Sequence, residues 1–287
     1  MGEPGSIPLS TSETAVETNV TCGTSVGSVA AKAVQFLRRG REIPDRIRNK
    51  AGTFFDRGTP TCQIADPRPP EDVFDAVADL LEQRRHAATL HPDDGFEMAL
   101  RHAIDRLDGC RAPFGLPHNG TATLGRLCYA VCRAMNASRV VETGVAYGVT
   151  SSYILQALAD NDHGELISID LPPLADKSED FVGALVPAPL KRRWNLQIGS
   201  AQKVLPRALH RMGPIDVFVH DSLHTLAHMN WEFGNAMRAL RDGGVLIADD
   251  IQGNQAFDRV LQHPRAGSWF AVRQEGKNAL CGVVRLK

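Results

Sequence analysis

From about residue 120 onward, short apolar runs alternate with segments whose apolar residues recur every three or four positions. That alternation predicts buried strands and amphipathic helices in turn, the texture of a parallel α/β sheet. SRVVETG (138–144), ELISIDLPP (165–173), WNLQIGS (194–200), IDVFVHDS (215–222) and VLIADDI (245–251) read as strands. TATLGRLCYAVCRAMNA (121–137), VTSSYILQALADN (149–161), AQKVLPRALHRM (201–212), TLAHMNWEFGNAMRALRDGG (225–244) and QAFDRVLQH (255–263) read as helices, with another expected around 176–192. The closing stretch SWFAVRQEGKNALCGVVRL (268–286) reads as two strands around Gly276-Lys277-Asn278. So short a turn implies a hairpin, and hence one antiparallel edge strand.

Upstream the texture differs. Val73, Val77, Leu80 and Leu81 follow the Pro69-Pro70 stop at helical spacing, and DGFEMALRHAIDRL (94–107) repeats the pattern. Residues 32–50 carry seven basic residues against Glu42 and Asp45, and read as a solvated helix face broken at Gly40 and Pro44. Residues 1–30, rich in Ser, Thr and Gly, have too few large apolar side chains to offset their ordering entropy and read as a mobile tail. The expected layout is a tail (1–30), a helical segment (31–116) serving as a substrate cap or oligomerisation surface, and a sheet domain (117–287). A homo-oligomer is compatible with that layout.

Composition narrows the partners. The chain has 287 residues, 43% hydrophobic and 23% charged, enough for a sizeable core. Lys plus Arg (32) nearly balances Asp plus Glu (33), so no global charge argues for nucleic acid or an anionic membrane. A small-molecule partner fits better. The apolar runs fall short of the ~20 residues a membrane span needs, and the start lacks the basic and apolar regions of a secretory signal. Gly2 and Ser6 match the loose MGxxxS myristoylation pattern, which is short enough to arise by chance. The cysteines (Cys22, Cys62, Cys110, Cys128, Cys132, Cys281) form no CxxC pair and read as reduced thiols of a cytoplasmic protein.

In an open α/β sheet, ligands gather at the carboxyl ends of the strands. The first strand ends in Glu142-Thr143-Gly144-Val145-Ala146-Tyr147-Gly148, with glycines four apart rather than in the GxGxxG spacing of dinucleotide folds. Gly144 and Gly148 allow close backbone approach, and the acidic Glu142 favours a cationic ligand over a pyrophosphate. Asp170, ending the second strand, is suited to accept hydrogen bonds from both hydroxyls of a ribose. Gly199-Ser200-Ala201-Gln202, after the third, is suited to an adenine edge.

Ribose, adenine and positive charge together describe S-adenosylmethionine. The ordered runs VVETGVAYGVTS, ISIDLPP, IGSAQKVLP, VFVHDSLH and VLIADDI resemble the class I S-adenosylmethionine-dependent methyltransferases, over roughly residues 117–287. In particular they are similar to the metal-dependent O-methyltransferases of the catechol and macrocin sugar types. The resemblance implies a Rossmann-like, mostly parallel sheet with an antiparallel last strand. It also implies that Glu142, Gly144, Ala146, Tyr147 and Gly148 line the methionine side of the cofactor, Asp170 the ribose, and Ala201 and Gln202 the adenine.

Asp221 and Asp249-Asp250 end the fourth and fifth strands. Three carboxylates converging at a sheet's lip repel one another, and a bound cation relieves that repulsion. Oxygen ligands suit a hard ion such as magnesium, and the resembled enzymes place metal ligands at the positions of Asp221, Asp249 and Asp250. Asp250 stands where the catechol enzymes have an asparagine. His224, in the DxxH spacing of the macrocin type, then corresponds to the base that takes the acceptor's hydroxyl proton. Sugar hydroxyls of a natural product are the first expected acceptors and catechol-like diols the second. Acceptor choice falls to residues 31–120, the loop with Gln252 and Asn254, and Pro117-His118-Asn119-Gly120.

Other readings fare less well. His220-Asp221-Ser222-Leu223-His224 superficially resembles the HExxH of zinc peptidases, with His228 extending the spacing, but that motif needs a helix where Ile215–Val219 is a strand. His220 and Asp221 should point to opposite sides. A metal-independent O- or N-methyltransferase and a non-catalytic S-adenosylmethionine-binding protein both stay open.

Overall fold

A computed structural model describes residues 40–56, 58, 60–83, 89–108, 113–115, 120–175 and 177–287. The expected tail, the myristoylation pattern, Cys22, Cys110 and residues 117–119 lie outside these. The described helices are α1 (Ile43–Phe55), α2 (Val73–Leu80), α3 (Asp94–Asp108), α4 (Ala122–Ala134), α5 (Val149–Asp160), α6 (Ala201–Met212), α7 (Leu226–Ala239) and α8 (Ala256–Leu261). The strands are β1 (Arg139–Thr143), β2 (Glu165–Asp170), β3 (Trp194–Ile198), β4 (Ile215–His220), β5 (Leu240–Ala248), β6 (Ala266–Arg273) and β7 (Leu280–Leu286). None of the described helices is long and apolar enough to cross a membrane.

The strands form one sheet in the order β3-β2-β1-β4-β5-β7-β6. Pairings from β3 through β5 are parallel; β7 is antiparallel to both β5 and β6. The Rossmann-like sheet with a reversed last strand is therefore present. The reversed strand is not at the edge, however. β7 inserts between β5 and β6, so the outermost strand β6 runs with the parallel set. Its outer side is not bare, because Arg68 pairs there through Arg68 N to Ala271 O (2.8 Å) and Arg273 N to Arg68 O (2.8 Å). Such cover removes an open strand edge.

Two further expectations fail for local reasons. The helix expected around 176–192 is instead two 3-10 turns, Ser178–Phe181 and Ala188–Arg193, in a stretch interrupted by Gly183, Pro187 and Pro189. The RDGG placed at the end of α7 belongs to β5, which starts at Leu240 and carries a register irregularity opposite Ile215 and Val217. Pro44 opens α1 rather than breaking it, as a residue without an amide hydrogen does best in the first helical turn.

Both sheet faces are buried, which explains the near-continuous apolar runs of the central strands. Val140, Leu166, Val217, Val219, Val245 and Ile247 pack under α4 and α5, in the same core as residues of α2 and α3. Val141, Ile167, Ile169, Phe218, Leu246 and Ala248 pack with α6, α7 and α8. Glu97 of α3 is anchored by a forked pair from Arg126 of α4 (2.7 Å each) and by the Tyr153 hydroxyl of α5 (2.9 Å). The upstream helices α2 and α3 thus share the sheet's own core. Helix α1 is attached differently, by polar contacts: Ser200 Oγ donates to Asp45 (2.7 Å), Arg46 donates to Pro172 O (2.8 Å) and Leu226 N donates to Asp56 (2.5 Å).

Candidate active site

Strand order reverses direction between β1 and β4, and a crevice opens at their carboxyl ends, as expected at such a switch point. The floor is shaped by Gly144, whose φ is +85°; a Cβ there would stand 1.9 Å from the Asp221 carbonyl oxygen. Only glycine allows the β1 loop to pass so close to the end of β4. The cavity above measures about 760 Å³. Helix α1 and Phe114 contribute to its wall along with the loops after β1, β2, β3, β4 and β5.

Of the residues singled out from sequence, Gly144, Ala146, Asp170, Ala201, Gln202, Asp221, His224, Asp249 and Asp250 line this cavity. Glu142, Tyr147 and Gly148 do not. Glu142 shares a face of β1 with Val140, toward α5, because side chains alternate along a strand. It is fully buried, and its Oε2 accepts hydrogen bonds from Ser151 and Ser168 (2.6 Å each). Burial pushes its carboxyl up to about 7, against the two serine hydroxyls and with Asp170 adding to the rise. Tyr147 is also buried; its ring stacks on Phe114 at 4.1 Å, and its hydroxyl exchanges hydrogen bonds with the Phe114 backbone. It backs the wall rather than forming it. Gly148 caps α5 in a left-handed conformation. Gln252 and Asn254 are likewise turned to structure: Gln252 accepts from Leu280 N (2.8 Å), and Asn254 donates to His224 O (3.1 Å) and accepts from Ala256 N (2.9 Å).

Asp170 fixes the β1 loop by accepting from the amides of Val145 (2.7 Å) and Ala146 (2.8 Å) through Oδ2. At the other end of the crevice, single ligand atoms of Asp221, His224 and Asp249 all lie within 4.8 Å of one another. His224 Nε2 is 3.9 Å from Asp221, and Nδ1 is 3.5 Å from Asp250. Among the described residues, His224 Nε2 is buried without a hydrogen-bond partner. Desolvation and the neighbouring Asp249 push the Asp221 carboxyl well up. Asp249 is held low despite burial, because His224, Lys277 and a hydrogen bond from Asp221 favour its charged form. Burial, helped by His220 and Lys277, brings His224 down to about 4 against the pull of Asp249 and Asp250.

Sequence reasoning missed two groups here. Lys277, read as a turn residue, places Nζ 3.2 Å from Asp249 and 3.0 Å from Asp250. Gln274 donates to the other Asp249 oxygen at 2.5 Å. No local spacing marked it: the reversed β7 lies beside β5, which puts the preceding turn at the carboxyl end of β5. The other group lies behind β4, where buried Glu232 collects Thr143 Oγ1 and His220 Nδ1 (2.6 Å each), His228 Nε2 (2.8 Å) and Ser222 Oγ (3.1 Å). His228 and Asp221 both line the cavity, and His228 Nδ1 contacts Gln202 at 2.9 Å.

A family described as a methyltransferase domain matches residues 141–251, from β1 to the turn after β5. Over that stretch the chain matches a methyltransferase domain. Solved structures agree in fold. An O-methyltransferase from Bacillus cereus, in complex with S-adenosylhomocysteine, is 18% identical with a TM-score of 0.53 over 71% of this chain and 96% of that one. TomG from Streptomyces achromogenes, an O-methyltransferase of tomaymycin synthesis in complex with S-adenosylmethionine, is 19% identical with a TM-score of 0.53 over 71% and 95%. No curated protein matches the sequence. The crevice described above lies within the matched methyltransferase domain, apart from its α1 and Phe114 wall and the β6–β7 turn.

Proposed function

We propose that this methyltransferase moves the methyl group of S-adenosylmethionine to a hydroxyl of a small molecule. The observation that carries this reading is the convergence of Asp221, His224, Asp249 and Asp250 with Gly144, Ala146 and Asp170 in one cavity. Asp170 accepts hydrogen bonds from the cofactor's ribose, Ala201 and Gln202 face its adenine, and the Gly144–Ala146 loop passes along its methionine part. Gln202 Oε1, buried without a partner among the described residues, suits the adenine's exocyclic amine.

The acidic end fits a hard divalent cation such as magnesium. Its donors are oxygens and one imidazole within 4.8 Å, the buried His224 Nε2 lacks a partner, and burial with the neighbouring Asp249 pushes the Asp221 carboxyl up, a repulsion that a bound cation relieves. Asp221 and Asp249 would hold it, with Asp250 completing the set. Such an ion supplies Lewis acidity that eases deprotonation of an acceptor hydroxyl. His224, neutral at neutral pH because its pKa lies at about 4, takes that proton at Nε2. The cavity walls align the acceptor oxygen with the sulfonium methyl, an entropic contribution that needs no further chemistry from the protein. A sugar diol of a natural product is the favoured acceptor and a catechol-like diol the second, since adjacent oxygens chelate one ion.

A metal-independent methyltransferase is a second reading, favoured by Lys277, which already bridges Asp249 and Asp250. A methyl-transfer assay with and without EDTA separates them. Loss of turnover in EDTA, restored by magnesium, is expected; full activity in EDTA moves the carboxylates to orienting the acceptor through hydrogen bonds. Cofactor binding with no transfer to any diol or phenol would leave a non-catalytic binding protein.

A further inference from the structure

The β6–β7 turn reaches across the end of β5 and sets one ammonium group on two of the acidic residues. Lys277 Nζ lies 3.2 Å from Asp249 Oδ2 and 3.0 Å from Asp250. We propose that Lys277 is a tethered counter-ion that a divalent cation must displace from Asp249 and Asp250, so that this turn sets the metal affinity of the site. The inference rests on the metal reading given under the proposed function.

Charge and space both require the displacement. A magnesium-class ion sits about 2.0–2.1 Å from each carboxylate oxygen it binds. An ammonium hydrogen-bonded to those same oxygens would face the ion across a gap of a few ångströms, with like charges opposed. The two cations are therefore alternatives. Asp249 has little spare capacity while Lys277 is in place, because Gln274 donates to its Oδ1 at 2.5 Å and Cys281 Sγ lies 3.4 Å from the same atom.

Departure of the lysine is sterically easy. Its side chain is 35% exposed, and its flexible stem can carry the ammonium to solvent without disturbing the ladder. The adjoining Gly276 has a φ of +70° and no atom within 4 Å of the position a Cβ would take, so the turn borders open space. With the lysine in, one of the two charges on Asp249 and Asp250 is compensated without an ion. With it out, they are left with two uncompensated carboxylates that favour one.

The test is manganese binding to the full chain, measured by electron paramagnetic resonance and calorimetry, for the parent, Lys277→Met and Lys277→Arg. Lys277→Met should bind Mn²⁺ at least about tenfold more tightly, as expected when a competing charge contact is removed; Lys277→Arg should bind no more tightly than the parent. Equal affinity in all three, or weaker binding by Lys277→Met with an unchanged melting profile, overturns the counter-ion role while leaving the metal site standing. Absence of Mn²⁺ binding by every variant overturns both together, so the two failures are told apart. Lys277→Gln serves as the second neutral variant should the methionine substitution disturb folding.

Discussion

Strand β4 ends in two consecutive residues that lead into opposite kinds of polar cluster. His220 turns back into the protein, where Glu232 gathers His220, His228, Thr143 and Ser222 within 3.1 Å. Asp221 turns into the cavity, toward Asp249, Asp250 and His224. In the closed cluster one acid is matched by four donors, and although burial alone would raise its carboxyl, the two imidazoles hold Glu232 well below the usual carboxylate range. In the open cluster acids face acids and one carboxyl is pushed up; each cluster leaves one imidazole nitrogen unpaired, His220 Nε2 in the closed one and His224 Nε2 in the open one. Satisfied polar networks fix a structure, whereas under-satisfied ones store the means to bind something else. The contrast in direction, though not in satisfaction, recurs one strand over, where Glu142 faces the core and Asp170 the cavity.

The comparison breaks most visibly at Glu232. Glu232→Ala should cost about 3–5 kcal/mol of folding stability, the usual loss when one partner of a buried charged network is removed. Chemical denaturation measures it, and a loss below about 1 kcal/mol would mean the cluster is not structural. Because the folded pKa is depressed, the parent's advantage over Glu232→Gln should be complete above about pH 4.3, the unfolded carboxyl's value, and shrink as the pH falls below it.

His224 tests the open side. His224→Ala should lower turnover by about 10²–10⁴-fold with cofactor affinity and stability nearly unchanged, read by steady-state kinetics beside calorimetry. A ring held at about 4 stays neutral through neutral pH, so the parent's rate should persist on acidification well past the ordinary histidine value of about 6.5. An active His224→Ala variant would return this histidine to a bystander's role.

The β1–β2 acids sharpen the contrast at smaller scale. Asp170→Ala should weaken S-adenosylmethionine binding by about 1–3 kcal/mol, as for a hydrogen bond to a charged group. Calorimetry showing parent-like affinity would displace the cofactor site from this strand end. Glu142→Gln should instead leave affinity alone and change stability with pH. Its folded pKa of about 7 lies above the ordinary carboxyl value of about 4.3, so the folded protein binds the extra proton and the parent loses stability as pH rises between those values. At pH 8 the glutamine variant should be more stable by about 1–3 kcal/mol, an advantage that vanishes below about pH 4. A thermal shift that does not vary with pH would refute this assignment.

Much of this was legible before any coordinates. Strand ends at Thr143, Asp170, His220 and Ala248 follow from apolar runs stopped by glycine or acidic residues, and parallel topology then collects Gly144, Asp170, Asp221 and Asp249 at one rim. The inward turn of Glu142 was less legible, since alternation along a strand buried on both faces leaves no polar face to mark direction. Tyr147 misled for a related reason: beside two glycines it looks like a ligand-facing residue, yet its ring packs on Phe114.

The sequence by itself determined the order of elements, the glycine-lined loop after β1 and the acidic ends of β2, β4 and β5, because each depends on a few neighbouring residues and on chain periodicity. Tertiary structure alone decided that α1 walls the cavity, that Glu232 on α7 binds Thr143 of β1 across 89 residues, and that Lys277 meets Asp249 across 28. Those contacts depend on which helix covers which face and on β7 slipping between β5 and β6. Such pairings are set by the packing of the whole core, and no local spacing encodes them.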